Sequence, residues 1–388
     1  MTGLLEDKRH LVNARIRLAR QIERSGVVLP VALAEAFLNV PRHPFVPVFY
    51  RREGERFVPW RMRDGDPDKW LAAVYDDDSL ITEVDGVHAE QAPAAGLRGV
   101  PTSSSTAPGL MADMLDALDA ADGSRVLEVG TGTGYNAALL CRLAGDRNVT
   151  TIDHSPALAT AARSRLAATG CAPQVLTGDG VHGLPDGAVY DRIIATASVP
   201  RVPSPWLEHC RVGALLVVPL KGVLAGGAIA RLTKLPDGTA AGRLLHTPAA
   251  FMPLLPARVP PPAFPAFESP PRASSLSARA LDDWCFSFFA QLHLPPTVTR
   301  AYHQDTAGHV TMLHDAADGS AARIADHPDG VRVTSMGPRD LWHIIERAHH
   351  HWQTLHRPRR EWFTLHVNGT EQTVTYTTED GHRHQWRL

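Results

Sequence analysis

The clearest hydrophobic pattern in the chain is a series of short apolar runs: Arg125–Val129 (RVLEV), Val149–Ile152 (VTTI), Gln174–Leu176 (QVL) and Asp191–Thr196 (DRIIAT). Each is long enough for a strand and too short for a helix. A fifth run, Gly213 to Pro219, is almost wholly apolar, as a strand buried on both faces requires. The stretch NAALLCRLA after Tyr135 has helical spacing instead, so strand and helix alternate and predict an α/β fold with a parallel sheet. Pro205 to Cys210 reads as a short helix. Gly226 to Leu235 and Arg243 to Phe251 read as further strands joined across the turn signal Pro236-Asp237-Gly238.

Upstream, Leu4, Leu11, Leu18 and Ile22 form one stripe of an amphipathic helix that Ser25-Gly26 ends. A second helix over Pro30 to Leu38 runs into the prolines of Val40–Pro47, which forbid regular structure. Tyr50 to Trp70 reads as a long polar excursion, Tyr75–Asp78 as a solvated turn or part of a site mouth, and the Gly/Ala-rich stretch to Gly99 as loop. Downstream, nine prolines between Pro248 and Pro271 predict an extended linker or wrapping arm. Beyond it lie helices over Ala278–Leu292 and Pro338–Leu355, then a hairpin of Trp362–Val367 with Glu371–Tyr376 about Asn368-Gly369. The expected organisation is an N-terminal helical elaboration (1–100), a central domain (101–250), a Pro-rich linker (251–275) and a small C-terminal α+β domain (276–388).

Charge and composition narrow the classes. The 388 residues carry 39 Lys+Arg against 41 Asp+Glu, so no global field draws the chain to nucleic acid or a membrane. Cys141, Cys171, Cys210 and Cys285 are scattered without a CxxC pair, which suits a reducing compartment. With no signal-peptide apolar core near residue 1 and no run of ~20 apolar residues, the expected location is the cytoplasm.

After the first strand, Gly130, Gly132 and Gly134 alternate with Thr131 and Thr133, so the backbone can take positive φ and approach a ligand closely. Gly132, Gly134 and Ala137 also satisfy a loose dinucleotide pattern, so a nicotinamide or flavin is one candidate. Three acidic residues after three successive strands point instead to S-adenosylmethionine (SAM). Glu128 can attract its cationic end, Asp153 with neighbouring His154 can meet the ribose hydroxyls, and Asp179-Gly180 can meet the adenine. Thr196 ends the fourth strand at the same sheet edge. The segment Pro101–Leu118 places hydroxyls at Ser104, Ser105 and Thr106 before Pro108 and a helical pattern. Read blandly this is a helix cap; read functionally, a hydroxyl and free backbone N–H groups there can receive a carboxylate.

Several of these motifs occur together and in order. VPRHPFVP (40–47), Tyr75-Asp76-Asp77, the hydroxyl-Ala-Pro helix start at 106–108, VLEVGTGTGY (126–135), GDG (178–180) and YDRIIATAS (190–198) resemble the protein-L-isoaspartate O-methyltransferases over roughly residues 1–235. The resemblance implies a Rossmann-like class I SAM-dependent methyltransferase fold and methylation of a peptide carboxyl group, with S-adenosylhomocysteine as by-product. It places the family's active-site serine on Thr106, next to Ser105, and implies substrate contacts at Tyr75, Asp77 and Ser104. An insertion before residue 106 and a C-terminal extension of about 140 residues resemble the longer enzymes that accompany ATP-grasp ligases in graspetide biosynthesis, and related ones from lanthipeptide pathways; so do GPRDLWHIIERAHHHW (337–352) and LHRPRREWFTLHV (355–367). That subgroup implies a ribosomally made, macrocyclised precursor peptide as substrate, with an aspartate methylated on the way to an aspartimide. The alternatives are a repair enzyme acting on isoaspartate and a non-catalytic SAM-binding peptide escort.

The chemistry asks little of the chain. A carboxylate with an ordinary pKa of about 4 is already ionised at neutral pH, so no general base is needed. His343 and His349–His351 lie on one predicted helix, but consecutive residues there point in different directions, so a solvated or peptide-facing surface is expected rather than a metal site.

Overall fold

The computed structural model describes residues 8–182, 187–224, 227–254, 267, 269–305 and 308–388. Helix α1 (Lys8–Arg24) buries Leu18 and Ile22 on its expected stripe, while Leu4 lies outside the described residues. Helix α2 (Val31–Asn39) follows. The stretch expected to be loop then forms a small antiparallel sheet: β1 (Val48–Glu53) and β2 (Arg56–Arg61) pair as a hairpin, and α3 (Pro67–Val74) leads to β3 (Leu80–Val84), β4 (Val87–His88) and β5 (Pro101–Ser105). Its apolar positions are few and interrupted by charges, which is why periodicity concealed it; Val48, Tyr50, Phe57 and Val84 nevertheless share one small core. β5 delivers its serines to α4 (Pro108–Leu118).

The central sheet then begins: β6 (Val126–Val129), α5 (Tyr135–Ala144), β7 (Val149–Asp153), α6 (Pro156–Ala168), β8 (Gln174–Thr177), β9 (Tyr190–Ala195), α7 (Ser204–Glu208), β10 (Cys210–Leu220), β11 (Ala228–Lys234) and β12 (Ala240–Leu244). β8, β7, β6, β9 and β10 run parallel, with Val126 opposite Val149 on one side and Arg192 on the other. β11 and β12 are antiparallel.

The remaining chain adds β13 (Arg272–Ser274), α8 (Trp284–Gln291), β14 (Val298–Asp305), β15 (Gly308–Asp315), β16 (Ala321–His327), β17 (Gly330–Met336) and α9 (Leu341–Thr354). β13 to β17 form a separate antiparallel sheet that the sequence pattern did not reveal. The expected hairpin is present as β18 (Thr364–Asn368) and β19 (Glu371–Thr377), with β20 (Arg383–Arg387) beside it. These three strands do not stay within a C-terminal unit. β18 pairs with β12, Gly242 opposite Leu365, so the central sheet runs β20-β19-β18-β12-β11-β10-β9-β6-β7-β8 among the described residues. The physical reason is the bare edge that β12 would otherwise present. Among the described residues no helix is long and apolar enough to cross a membrane, and all four cysteines are free.

Candidate active site

In the parallel sheet the chain leaves β6 toward β7 on one side and returns at β9 on the other, which opens a crevice at the carboxyl edge between β6 and β9. The glycine turn sits there. Gly130, Gly132 and Gly134 have φ of +102°, +51° and +89°, values that L side chains rarely adopt. A Cβ on Gly130 would lie 2.7 Å from Thr196 Oγ1, and that hydroxyl donates to the Gly130 carbonyl. The turn is tied to the next strand as well, because Gly132 N–H donates to Asp153 Oδ2 at 2.9 Å and Ser155 N–H to Oδ1 at 3.0 Å.

A cavity of about 270 Å³ opens on this turn. Its wall includes Glu128, Gly130, Thr131, Gly132, Asp153, His154, Gly180 and Thr196 from the sheet edge, and Ser104, Ser105 and Thr106 from the end of β5. The structure therefore brings together most of the residues expected at the site. Gly134 and Asp179 stand back from the wall. Gly134 begins α5 and lies close against Ala162 of α6, where a Cβ would be 3.2 Å from the alanine Cβ. Asp179 accepts the Val181 N–H at 2.9 Å and lies 3.4 Å from His182 Nε2.

Tyr75 and Asp77, expected to touch substrate, are also off the wall. Buried Tyr75 accepts the Arg42 N–H at 3.1 Å and shares a 2.9 Å hydrogen bond with His43 Nδ1, whose pKa burial lowers to about 4. Asp77 Oδ1 accepts the Gly109 N–H at 2.6 Å, and Ser79 Oγ accepts the Ala107 N–H at 3.0 Å. Pro108 has no N–H, so the donors expected to be free at this helix start are largely used by the protein itself. What remains is the hydroxyl of Thr106, which forms no hydrogen bond among the described residues. Ser105 is buried, with its Oγ 3.5 Å from Arg42 Nη2.

Sequence reasoning missed three contributors. Asn136, read only as the start of a helix, donates from Nδ2 to Glu128 Oε1 at 2.8 Å, while Thr151 donates to Glu128 Oε2 at 2.6 Å. Asn136 Oδ1 is buried with no partner among the described residues, on the cavity wall. Burial raises the Glu128 pKa to about 7 despite these bonds. Second, Arg42 is fully buried and donates to the carbonyls of Val74, Asp76, Asp78, Ser105 and Thr106, with its pKa lowered by burial to about 10. Carbonyl partners leave no mark in a sequence. Third, Phe251–Leu254 closes the far wall: Ser198 N–H donates to Met252 O at 2.8 Å and Leu254 N–H to Ser198 O at 2.9 Å. This part of the proline-rich stretch is a wrapping arm; 255–266 and 268 lie outside the described residues.

An unpaired acceptor beside a buried carboxylate suits the ammonium of SAM, and the Asp153 carboxylate at the next strand end suits ribose hydroxyls. Fold and crevice together define a class I SAM-dependent methyltransferase, with SAM as its cofactor. Residues 91–256 match the family model for protein-L-isoaspartate(D-aspartate) O-methyltransferase. The chain is 34% identical over 240 residues to the protein-L-isoaspartate O-methyltransferase of Ignicoccus hospitalis, covering 61% of this chain and 95% of that one. The Methanopyrus kandleri protein of the same name is 34% identical over 255 residues, covering 65% and 96%. The chain belongs to the protein-L-isoaspartate O-methyltransferase family and is a SAM-dependent carboxyl O-methyltransferase. A solved structure titled protein-L-isoaspartate O-methyltransferase superposes with a TM-score of 0.52 at 22% identity, over 96% of this chain and 98% of that one.

Proposed function

We propose that the chain methylates the free carboxylate of L-isoaspartyl residues in peptides and proteins, in the cytoplasm. The observation that carries the reading is the hydroxyl of Thr106, which has no hydrogen bond among the described residues and lines the same cavity as the glycine turn. When bound, SAM supplies an electrophilic methyl on a sulfonium: the C–O bond forms as the C–S bond breaks, the electron pair stays on sulfur, and no proton moves. The task of the protein is then alignment, which is worth ~7–11 kcal/mol in well-oriented systems. Glu128 and Asn136 anchor the amino end of the cofactor, and Asp153 with His154 its ribose. Gly180 borders the adenine, and Asp179 supports that turn from behind. Thr106 donates to one carboxylate oxygen and leaves the other as nucleophile; Ser104, on the same face of β5, extends the polar wall. Tyr75 and Asp77 act indirectly, through His43 and the start of α4.

A second reading keeps the chemistry and changes the peptide: an aspartate of a ribosomally made, macrocyclised precursor, prepared by an ATP-grasp ligase and closing to an aspartimide after methylation. Its support is the resemblance of 337–352 and 355–367, part of the 276–388 region that we assign to peptide recognition. Mass spectrometry after incubation with SAM separates the two. Addition of one methyl to an L-isoaspartyl peptide, and not to its aspartyl isomer, supports repair; ester formation confined to a macrocyclic aspartyl peptide supports the second reading. Cofactor binding without ester on either peptide would refute both.

A further inference from the structure

A second cavity, about 480 Å³, lies behind the arm that closes the first. Ligand pockets commonly enclose ~300–1,000 Å³. Its walls include Val199, Val202 and Pro203 from the segment after β9, Leu254 from the arm, Thr370 from the β18–β19 turn and Gln372 from β19. We propose that this cavity is a substrate subsite that takes an apolar side chain flanking the methyl-accepting residue of a peptide. The inference rests on the peptide-substrate reading given above.

Three observations carry it. First, Pro253 and Leu254 line both cavities, so a single chain thickness separates them. An extended peptide spans ~3.3–3.6 Å per residue and adjacent chains lie ~4.7–4.9 Å apart, so a residue one to three positions from the target reaches across. Second, the walls are pre-organised. Gln372, only 3% exposed, accepts the Val202 N–H at 3.0 Å and donates to the Val202 carbonyl at 2.6 Å. Val199 pairs in both directions with Pro219 and Lys221, at 3.0 and 2.8 Å. Arg201 donates to the carbonyls of Thr370 and Leu388 and pins the hairpin in place. Third, these bonds use the backbone polar groups of the wall on one another, so what the cavity chiefly offers a guest is apolar surface. Discrimination then rests on burial of a Leu- or Phe-sized side chain.

The test uses the full chain loaded with S-adenosylhomocysteine and fluorescently labelled isoaspartyl peptides that carry Leu or Gly one to three positions before or after the target. Anisotropy should show the best-placed Leu peptide binding roughly tenfold to a hundredfold tighter than its Gly counterpart. Thr370→Trp and, separately, Ser204→Trp fill the cavity from two sides and should abolish that preference. Tyr302→Ala, 66% exposed on β14 of the other sheet, should keep it. The inference is overturned if the wild-type chain shows no Leu preference, if the preference survives both tryptophans, or if those variants weaken Leu and Gly peptides alike. A Leu preference lost in both tryptophan variants, with no methyl transfer to any peptide, would leave the subsite standing while the proposed reaction fell.

Discussion

Replacing Arg42 with methionine removes a side chain that joins the loop at 74–78 to the end of β5. Its guanidinium donates to five carbonyls, of Val74, Asp76, Asp78, Ser105 and Thr106, at 2.9–3.3 Å. The two terminal nitrogens carry four N–H groups, so two of the three contacts of Nη2 share a proton; at the low end of ~1.5–3 kcal/mol for each bond from a charged donor, four bonds amount to ~6 kcal/mol. Against that stands burial of the charge. Its pKa falls from 12.5 to about 10, and at 1.36 kcal/mol per unit this is roughly 3 kcal/mol. The group stays protonated at neutral pH, so a net stabilisation of ~3 kcal/mol should be lost in Arg42→Met. With an unfolding entropy of ~2.1 cal/mol/K per residue, that corresponds to a fall in Tm of roughly 4 °C for a chain of this length. Arg42→Lys keeps the charge with fewer and less widely spread donors and should fall between. In the same variants kcat/KM for peptide should drop at least ~10-fold, because the backbone bearing Thr106 is released. SAM affinity by calorimetry should hardly change, since none of these carbonyls belongs to the glycine turn. An Arg42→Met protein with unchanged Tm and unchanged turnover would refute this account.

Three further outcomes follow from the site. Burial raises Glu128 from 4.5 to about 7, so the cofactor-free fold favours the protonated acid and loses up to ~3 kcal/mol as the pH rises from about 4.5 past 7. A cationic ligand reverses that preference, so SAM affinity should rise between pH 6 and 8, and Glu128→Gln should flatten the slope and weaken binding, both read by calorimetry. Gly130→Ala forces a Cβ against Thr196 Oγ1 at φ +102°; it should cost ~1–3 kcal/mol in thermal unfolding and impair SAM binding. Thr106→Ala should lower kcat by ~10–100-fold with the fold intact, whereas Ser105→Ala should leave kcat near wild type; the reverse ranking would assign the carboxylate to Ser105.

What the sequence disclosed was local. The turn at 130–134 could be read because positive φ admits few residues other than glycine, and β6 to β10 because strands buried on both faces are apolar along their length. The hairpin about Asn368-Gly369 was visible for the same reason. What stayed hidden depends on partners far along the chain. Arg42 speaks to carbonyls more than thirty residues away, the start of α4 is capped by Asp77 and Ser79, and Asn136 takes its role from Glu128 in three dimensions. The strands β14 to β17 alternate too weakly to be told from loop, since half-buried histidines and arginines interrupt their apolar faces.

The pairing of β18 with β12 has a consequence for biosynthesis. Residues 364–387 leave the ribosome well after the edge they cover, which is formed some 120 residues earlier. Until they arrive, β12 is a templating ladder open to any passing strand. A nascent or prematurely terminated chain should therefore depend on chaperones in a way the finished one does not, and stop codons upstream of Thr364 should yield inclusion bodies rather than a smaller working enzyme.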